Sequence, residues 1–284
     1  MAKRLSETAY AKINLALHVR ARRDDGYHEL ETIFAFLDDG DVLTAEAANT
    51  LMLDITGPFS GNLEIDGNLV LQAATALRDH TGVDAGAKFV LDKKLPIASG
   101  IGGGSADAAA ALRLLNRLWA LDLTENELVD IGAPLGADIA ACIYSRTCIG
   151  SGIGEQIVFT QDAGLADLHC LLVNPGIAVA TGPVFQGWDG IDLGGLQDAD
   201  ILTAALAGRN DMQVSALKIV PEIAGILQML ESWSPLLARM SGSGATCFAL
   251  FDSADNMHDA AQDIRKQSPG YWTMTGRLRD AAHG

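Results

Sequence analysis

A run of glycines between residues 95 and 110 carries the densest chemistry in the chain. Gly100, Gly102, Gly103 and Gly104 fall within five positions, and Ser105 follows them. Glycine lets the backbone take left-handed angles and lets a ligand approach its amides closely. The first amides of a helix lack internal partners, and the helix dipole favours negative charge beside them. A glycine-rich loop running into a helix is therefore a phosphate cradle in outline, although glycines also mark simple turns. No Lys-Ser or Lys-Thr follows the last glycine, so this is not a P-loop. The dinucleotide fingerprint fails at Ser105, where a third glycine is needed. Two further places carry candidates. Lys12 and Asn14 alternate with apolar residues between Tyr10 and Val19. Asp138 stands alone between apolar neighbours in Leu135-Gly-Ala-Asp-Ile. A lone Asp there serves either as a general base or as a helix N-cap.

The elements that must position these residues can be read from spacing. Ala87 to Leu91 reads as a strand entering the glycines. After them, Ala108, Leu112, Leu115 and Trp119 repeat at helical steps. Tyr10 to Val19 reads as a strand with Lys12, Asn14, Ala16 and His18 on one face. Those polar groups either face water on an edge strand or are buried with partners. Arg22 to Gly26 is a charged turn, and Thr32 to Leu37 a second strand, completing a hairpin. Asp41 to Ile55 continues the sheet. Asn68 caps a helix ending near Gly82. Thr124 and Glu127 have capping-box spacing. Cys148 to Thr160 reads as a hairpin, and Leu168 to Asn174 as a strand. Residues 186–208 read as loop, and Asn210-Asp211 opens a helical segment interrupted by Pro221. Met240 to Thr246 is a glycine-serine turn before a strand at Cys247 to Phe251. A helix over 254–266 and a strand over Tyr271 to Gly276 close the chain. A soft boundary near Gln161 suggests units 1–160 and 161–284.

Composition narrows the class. Hydrophobic residues make up 49% of the 284, enough for a substantial core. The net charge of −16 argues against non-specific nucleic-acid binding. Residues 1–30 are locally basic: Lys3, Arg4, Lys12, Arg20, Arg22 and Arg23 oppose Glu7, Asp24, Asp25 and Glu29, a net of +2. That segment is either a solvated surface or a local field for an anionic ligand. No apolar run of ~18 residues predicts a membrane span, and the first residues do not read as a signal peptide. Cys142, Cys148, Cys170 and Cys247 sit in apolar surroundings without Cys-x-x-Cys spacing, as free thiols of a reducing cytoplasm do.

The glycine stretch from Pro96 to Ser105 resembles the second motif of the GHMP kinase superfamily. Ala11-Lys-Ile-Asn, Asp25-Gly-Tyr-His, Leu135-Gly-Ala-Asp and Met240-Ser-Gly-Ser-Gly are similar to stretches of one family within it, the 4-diphosphocytidyl-2-C-methyl-D-erythritol kinases. The matches keep the same order from Ala11 to Thr246.

The resemblance implies an α+β, two-domain fold. Its N-terminal domain is of the ribosomal protein S5 domain 2-like type, and its C-terminal domain a ferredoxin-like antiparallel sheet with helices. The active site is expected in the interdomain cleft. It implies ATP as co-substrate with Mg²⁺, and phosphorylation of the 2-hydroxyl of a cytidyl-diphospho sugar alcohol. Asp138 then corresponds to the catalytic base and Lys12 to its partner. The ATP phosphates fall to Pro96, Ile97, Ala98, Ser99, Gly100, Ile101, Gly102, Gly103, Gly104, Ser105 and Ala106, with Ser105 as a metal ligand. Ser241, Gly242, Ser243 and Gly244 close over the phosphates. Asn14, Tyr27, His28, Thr181 and Phe185 contact the acceptor, although Phe185 also fits core packing. The family most often shows Ser-Ser-Asn where this chain has Ser105-Ala106-Asp107. Asp107 is therefore expected to turn away from phosphate or to bind Mg²⁺ through water. Small-molecule partners are implied, with no nucleic acid or membrane, and a monomer or weak homodimer in the cytoplasm. The alternatives are another superfamily kinase, of homoserine or mevalonate type, a related diphosphate-acid decarboxylase, or a nucleotide-binding protein without catalysis.

Overall fold

The structure is a computed structural model that describes residues 4–159 and 164–279. The boundary expected at 160/161 lies outside the described residues. By contact the chain falls into two units. One holds Asp39–Ile97, Gly102–Ser145 and the described part of Met1–Ala11. The other holds Lys12–Asp38, Ala98–Ile101 and the described part of Arg146–Gly284. Two long strands, β1 (Leu5–Arg22) and β2 (His28–Ala48), contribute residues to both.

In the first unit, the second half of β2 pairs antiparallel with β4 (Gly86–Asp92), from Val42 opposite Asp92 to Ala48 opposite Gly86. Strand β3 (Leu51–Thr56) pairs parallel with β4. A parallel pair needs a crossover, and α1 (Leu69–Thr81) supplies it. Asn68 accepts from the Val70 amide at its start, and Gly82, left-handed at φ 68°, ends it as expected. Helix α2 (Gly103–Leu118) packs on α1, and α3 (Glu125–Gly132) and α4 (Ile139–Tyr144) pack on α2. The Thr124–Glu127 capping box forms. Leu43, Leu53, Phe89 and Leu91 from the strands and Leu77, Leu112 and Leu115 from the helices are buried.

In the second unit, the first half of β2 pairs antiparallel with β5 (Cys148–Gly152), which pairs with β6 (Gln156–Phe159). A four-stranded antiparallel sheet runs in the order β10 (Trp272–Arg277), β7 (His169–Asn174), β9 (Cys247–Phe251), β8 (Leu237–Met240). With it are α5 (Thr181–Gln186), α6 (Ile201–Ala207), α7 (Gln213–Ile219), α8 (Glu222–Glu231) and α9 (Ala254–Gln267). Leu171, Val173, Ile223, Ile226, Met257 and Ile264 belong to one buried cluster there.

Three elements differ from their sequence reading. Strand β1 is longer than Tyr10 to Val19, and residues 11 to 19 are all buried. Its polar residues therefore do not face water on an edge. Strand β2 takes in both Thr32 to Leu37 and the start of the next expected strand, because its two halves pair with different neighbours. Residues 201–207 form a helix inside the expected loop, with Asp200 accepting from the Thr203 amide at 2.9 Å.

Candidate active site

The glycine stretch is held at its entrance by a carboxylate. Asp41 Oδ1 accepts from the amides of Lys94 at 2.6 Å and Leu95 at 2.8 Å. These bonds pin the chain leaving β4. Ala98, Gly100 and Gly102 then take left-handed angles (φ 48°, 79° and 65°) at alternate positions. Left-handed residues alternating with right-handed ones can turn successive amides to one side. Gly102 is the N-cap of α2, and the Ala106 amide donates to its carbonyl at 2.8 Å. Ser105 lies in the first turn. A Cβ built on Gly136 would sit 4.0 Å from its Oγ, so the Ser105 hydroxyl adjoins the turn that carries Asp138. Asp138 occupies the N-cap position of α4, but its side chain makes no capping bond among the described residues. Its partly exposed carboxylate is therefore not explained by helix capping. Asp107 turns inward, with Oδ2 2.6 Å from Lys93 Nζ.

The second unit supplies a ladder of polar groups along β1. Lys12 Nζ donates to Asn14 Oδ1 at 3.0 Å and stands 5.0 Å over the Phe34 ring. Asn14 Nδ2 donates to Thr32 Oγ1 at 2.8 Å, and Thr32 Oγ1 donates to the Ala16 carbonyl at 2.7 Å. Lys12 and Asn14 are each only 3% exposed. The Ser241 hydroxyl joins this ladder to the glycine stretch: it accepts from the Asn14 amide at 3.1 Å and donates to the Gly100 carbonyl at 2.8 Å. Further backbone bonds run from Lys12 to Ile101, from Thr246 to Ser99 and from Val179 to Ala98. A Cβ at Gly100 would collide with the Ser241 carbonyl and the Gly244 backbone. One at Gly242 would lie 2.9 Å from the Gly100 carbonyl oxygen and 3.2 Å from Asn14 Oδ1. Both glycines are required by close approach of backbone. Ser243 Oγ is 3.1 Å from Thr181 Oγ1.

His28 packs between rings: Phe185 at 5.2 Å, tilted, and Trp188 at 5.8 Å, edge-on. Burial, and then the Arg22 cation, lower the pKa of this imidazole below its ordinary value. Burial likewise lowers that of His18, whose Nε2 accepts from the Arg209 amide at 3.1 Å. Tyr27 is 58% exposed at the hairpin turn. Phe185 is partly buried, and it both packs on the core cluster and meets His28.

The family described as GHMP kinases N terminal domain matches residues 68–146, and GHMP kinases C terminal matches 196–270. A 4-diphosphocytidyl-2-C-methyl-D-erythritol kinase of Sphingopyxis alaskensis is 50% identical over 98% of this chain and all of its own length. One of Novosphingobium aromaticivorans is 49% identical over 97% of this chain and 93% of its own. The chain belongs to the GHMP kinase family. A crystal structure of a 4-(cytidine 5'-diphospho)-2C-methyl-D-erythritol kinase superposes on this GHMP kinase with a TM-score of 0.81 at 29% identity, covering 96% of this chain and 99% of that one. A homoserine kinase from Cytophaga hutchinsonii shares the fold, with a TM-score of 0.74 at 16% identity over 99% of this chain and 97% of its own.

Within this GHMP kinase, the sequence-expected residues are gathered in sets. Gly102, Gly103, Gly104, Ser105, Ala106 and Asp138 lie in the first unit, as do Pro96 and Ile97. Ala98, Ser99, Gly100 and Ile101 lie in the second, with Lys12, Asn14, Tyr27, His28, Thr181, Phe185 and Ser241 to Gly244. The arginines of the basic segment are committed elsewhere. Arg20 pairs with Glu31 at 2.5 Å and Asp192 at 3.0 Å, and Arg23 with Asp25 and Glu29. Arg22 reaches the carbonyls of Gln186 and Trp188. Of these arginines, Arg20 is matched by acids from outside the segment and Arg23 by acids within it. Sequence reasoning missed Thr32, Asp41, Lys93 and Trp188. Thr32 and Asp41 sit on β2 at positions that look like ordinary strand residues, and only their partners reveal them. No cluster of three or more His, Cys, Asp or Glu able to hold a metal occurs among the described residues.

Proposed function

We propose that the chain transfers the γ-phosphoryl group of ATP to the 2-hydroxyl of 4-diphosphocytidyl-2-C-methyl-D-erythritol, giving the 2-phosphate and ADP. The observation that carries this reading is near-half identity, over almost the whole chain, to relatives bearing that enzyme's name. Asp138 takes the proton of the attacking hydroxyl. A bond forms between that oxygen and the γ-phosphorus, and the bond from phosphorus to the β–γ bridging oxygen breaks. A positioned base contributes ~10²–10⁴-fold in rate. Lys12 supplies positive charge to the transferring group, and Asn14 orients the acceptor. The amides of the glycine stretch and of the first turn of α2 receive the ATP phosphates, the preorganised electrostatic stabilisation on which phosphoryl transfer depends. Ser241 to Gly244 close over those phosphates. Tyr27, His28, Thr181 and Phe185 read the cytidine end, with Phe185 and Tyr27 offering flat faces to the base.

A hydroxyl on Ser105, in the first turn of α2 and adjoining the turn that carries Asp138, fits a Mg²⁺ ion held mainly by phosphate oxygens and water. When bound, that ion neutralises phosphate charge. No helix among the described residues is long and apolar enough to cross a membrane. The four cysteines are buried and none is disulfide-bonded, which supports a reducing, cytoplasmic setting.

The test is a coupled ADP-release assay with Mg-ATP and the cytidyl-diphospho acceptor, run beside homoserine and mevalonate. Turnover on the cytidyl acceptor alone is expected. Turnover on homoserine or mevalonate instead would overturn the substrate assignment and keep the kinase.

A further inference from the structure

A buried charge cluster lies behind the start of α2. Lys93 Nζ is 2.5 Å from Asp41 Oδ2 and 2.6 Å from Asp107 Oδ2. The three residues come from β2, from the exit of β4 and from the first turns of α2. All are nearly inaccessible to solvent. Two carboxylates share one ammonium, so the charges do not balance. Among the described residues, Asp107 Oδ1 is buried without a hydrogen-bond partner. Burial pushes the Asp107 carboxyl up to about 7, with Lys93 opposing and Asp41 reinforcing the rise. Lys93 and Asp41 are the charged groups that act on it most strongly.

Stability is a poor reason for such a cluster. Buried ion pairs seldom outperform apolar packing of similar volume, and an unbalanced one with an orphaned oxygen does worse. Its geometry has a different consequence. The same Asp41 carboxylate that accepts from Lys93 through Oδ2 holds the Lys94 and Leu95 amides through Oδ1. The same Lys93 ammonium reaches Asp107 on α2. A Cβ on Gly103, the first residue of that helix, would lie 3.2 Å from Lys93 Nζ. The helix start therefore rests directly on the cation. One cluster fixes both the strand exit before the glycine stretch and the helix turn after it.

We propose that Asp41, Lys93 and Asp107 form a positioning clamp, acting through Lys93, that sets the first turn of α2 for binding nucleotide phosphate. The proposal rests on the nucleotide-binding reading of the glycine stretch. Asp107→Leu cuts the tie to α2 and leaves Lys93 and Asp41 as a one-to-one pair. Lys93→Met with Asp107→Asn cuts the same tie with no change in net charge, and serves where the first variant does not fold. Affinity for a non-hydrolysable ATP analogue with Mg²⁺ is read by calorimetry, and KM and kcat by ADP release. Either variant is expected to weaken analogue binding at least tenfold and raise the KM for ATP in parallel, with the acceptor KM within twofold of wild type. Asp107→Asn keeps an acceptor for Lys93 and is expected to hold the analogue Kd within threefold. Variants that lose thermal stability but bind the analogue like wild type would show that the cluster only holds the fold. Wild type that binds the analogue without transferring phosphate would overturn the kinase reading and leave this comparison of affinities standing. Wild type that binds no nucleotide would overturn both.

Discussion

The two units handle buried polar groups in opposite ways. The first buries full charges and closes them on one another, with Lys93 between Asp41 and Asp107. The second buries a ladder of amide and hydroxyl groups, running from Lys12 through Asn14 to Thr32 and the Ala16 carbonyl, with Ser241 attached at the side. A closed charge cluster responds to protonation and tolerates an isosteric amide. A ladder responds to removal of one atom, because its middle members, Asn14 and Thr32, each both donate and accept, and a gap leaves their neighbours unsatisfied. The first arrangement suits anchoring a helix. The second suits holding a lysine and an asparagine along a strand at fixed spacing.

The largest effect is expected where neither scheme applies. Asp138 stands at a helix start that it does not cap. Asp138→Asn should lower kcat by two orders of magnitude or more with little change in thermal stability or in ATP-analogue affinity. A fall in Tm with kcat unchanged would return Asp138 to a structural role. Lys12→Met is expected to lower kcat by ~10²–10³, the scale seen when one stabilising donor is removed from a transition state. A simple rise in ATP KM would assign it to binding instead. Asn14→Ala breaks the ladder at its centre and strips Lys12 and Thr32 of a partner. It should cost about 1–3 kcal/mol in chemical denaturation, with kcat falling as well. A cost below ~0.5 kcal/mol would mean that water or a neighbour repairs the gap. Phe185→Ala should raise the acceptor KM about tenfold and leave the ATP KM alone, since stacking on a base is worth ~1–3 kcal/mol.

The smallest effect separates the two schemes by pH. With its carboxyl raised to about 7, Asp107 holds a proton that the unfolded chain releases near pH 4. Stability contributed by that proton is present in acid and is lost as pH rises from about 4 through 7. Denaturation midpoints of wild type should therefore decline relative to Asp107→Asn across that range and run parallel above it. Asn14→Ala should show a constant offset against wild type over the same range. A pH-independent gap for Asp107→Asn would mean that Asp107 is ionised throughout.

Local signals were legible where the partner lies within one turn. Asn68, Gly82, Thr124 and Glu127 each mark a helix end in the structure. The glycine stretch and the turn at Met240 to Thr246 were legible as motifs, and the antiparallel sheet of the C-terminal part was implied by the family, whereas its strand order came only from the structure. Asp200 went unread as a cap because glycines and acids surround it. The partners of Lys12 and Asn14 were not legible, since Thr32 and Ser241 lie 18 and 227 residues from Asn14.

By itself, the sequence determined the family, the class of reaction and the residue types able to carry it. Glycines at close spacing, a lysine on an apolar strand and a lone aspartate are chemical facts before any folding. Only the tertiary structure decided which polar groups are spent on one another. It placed Arg20 and Arg23 against acids, joined Ser241 to Gly100, and set Lys93 beneath Gly103. The physical reason is that a buried polar group must find its partner wherever the fold brings one, and sequence distance does not constrain where that is.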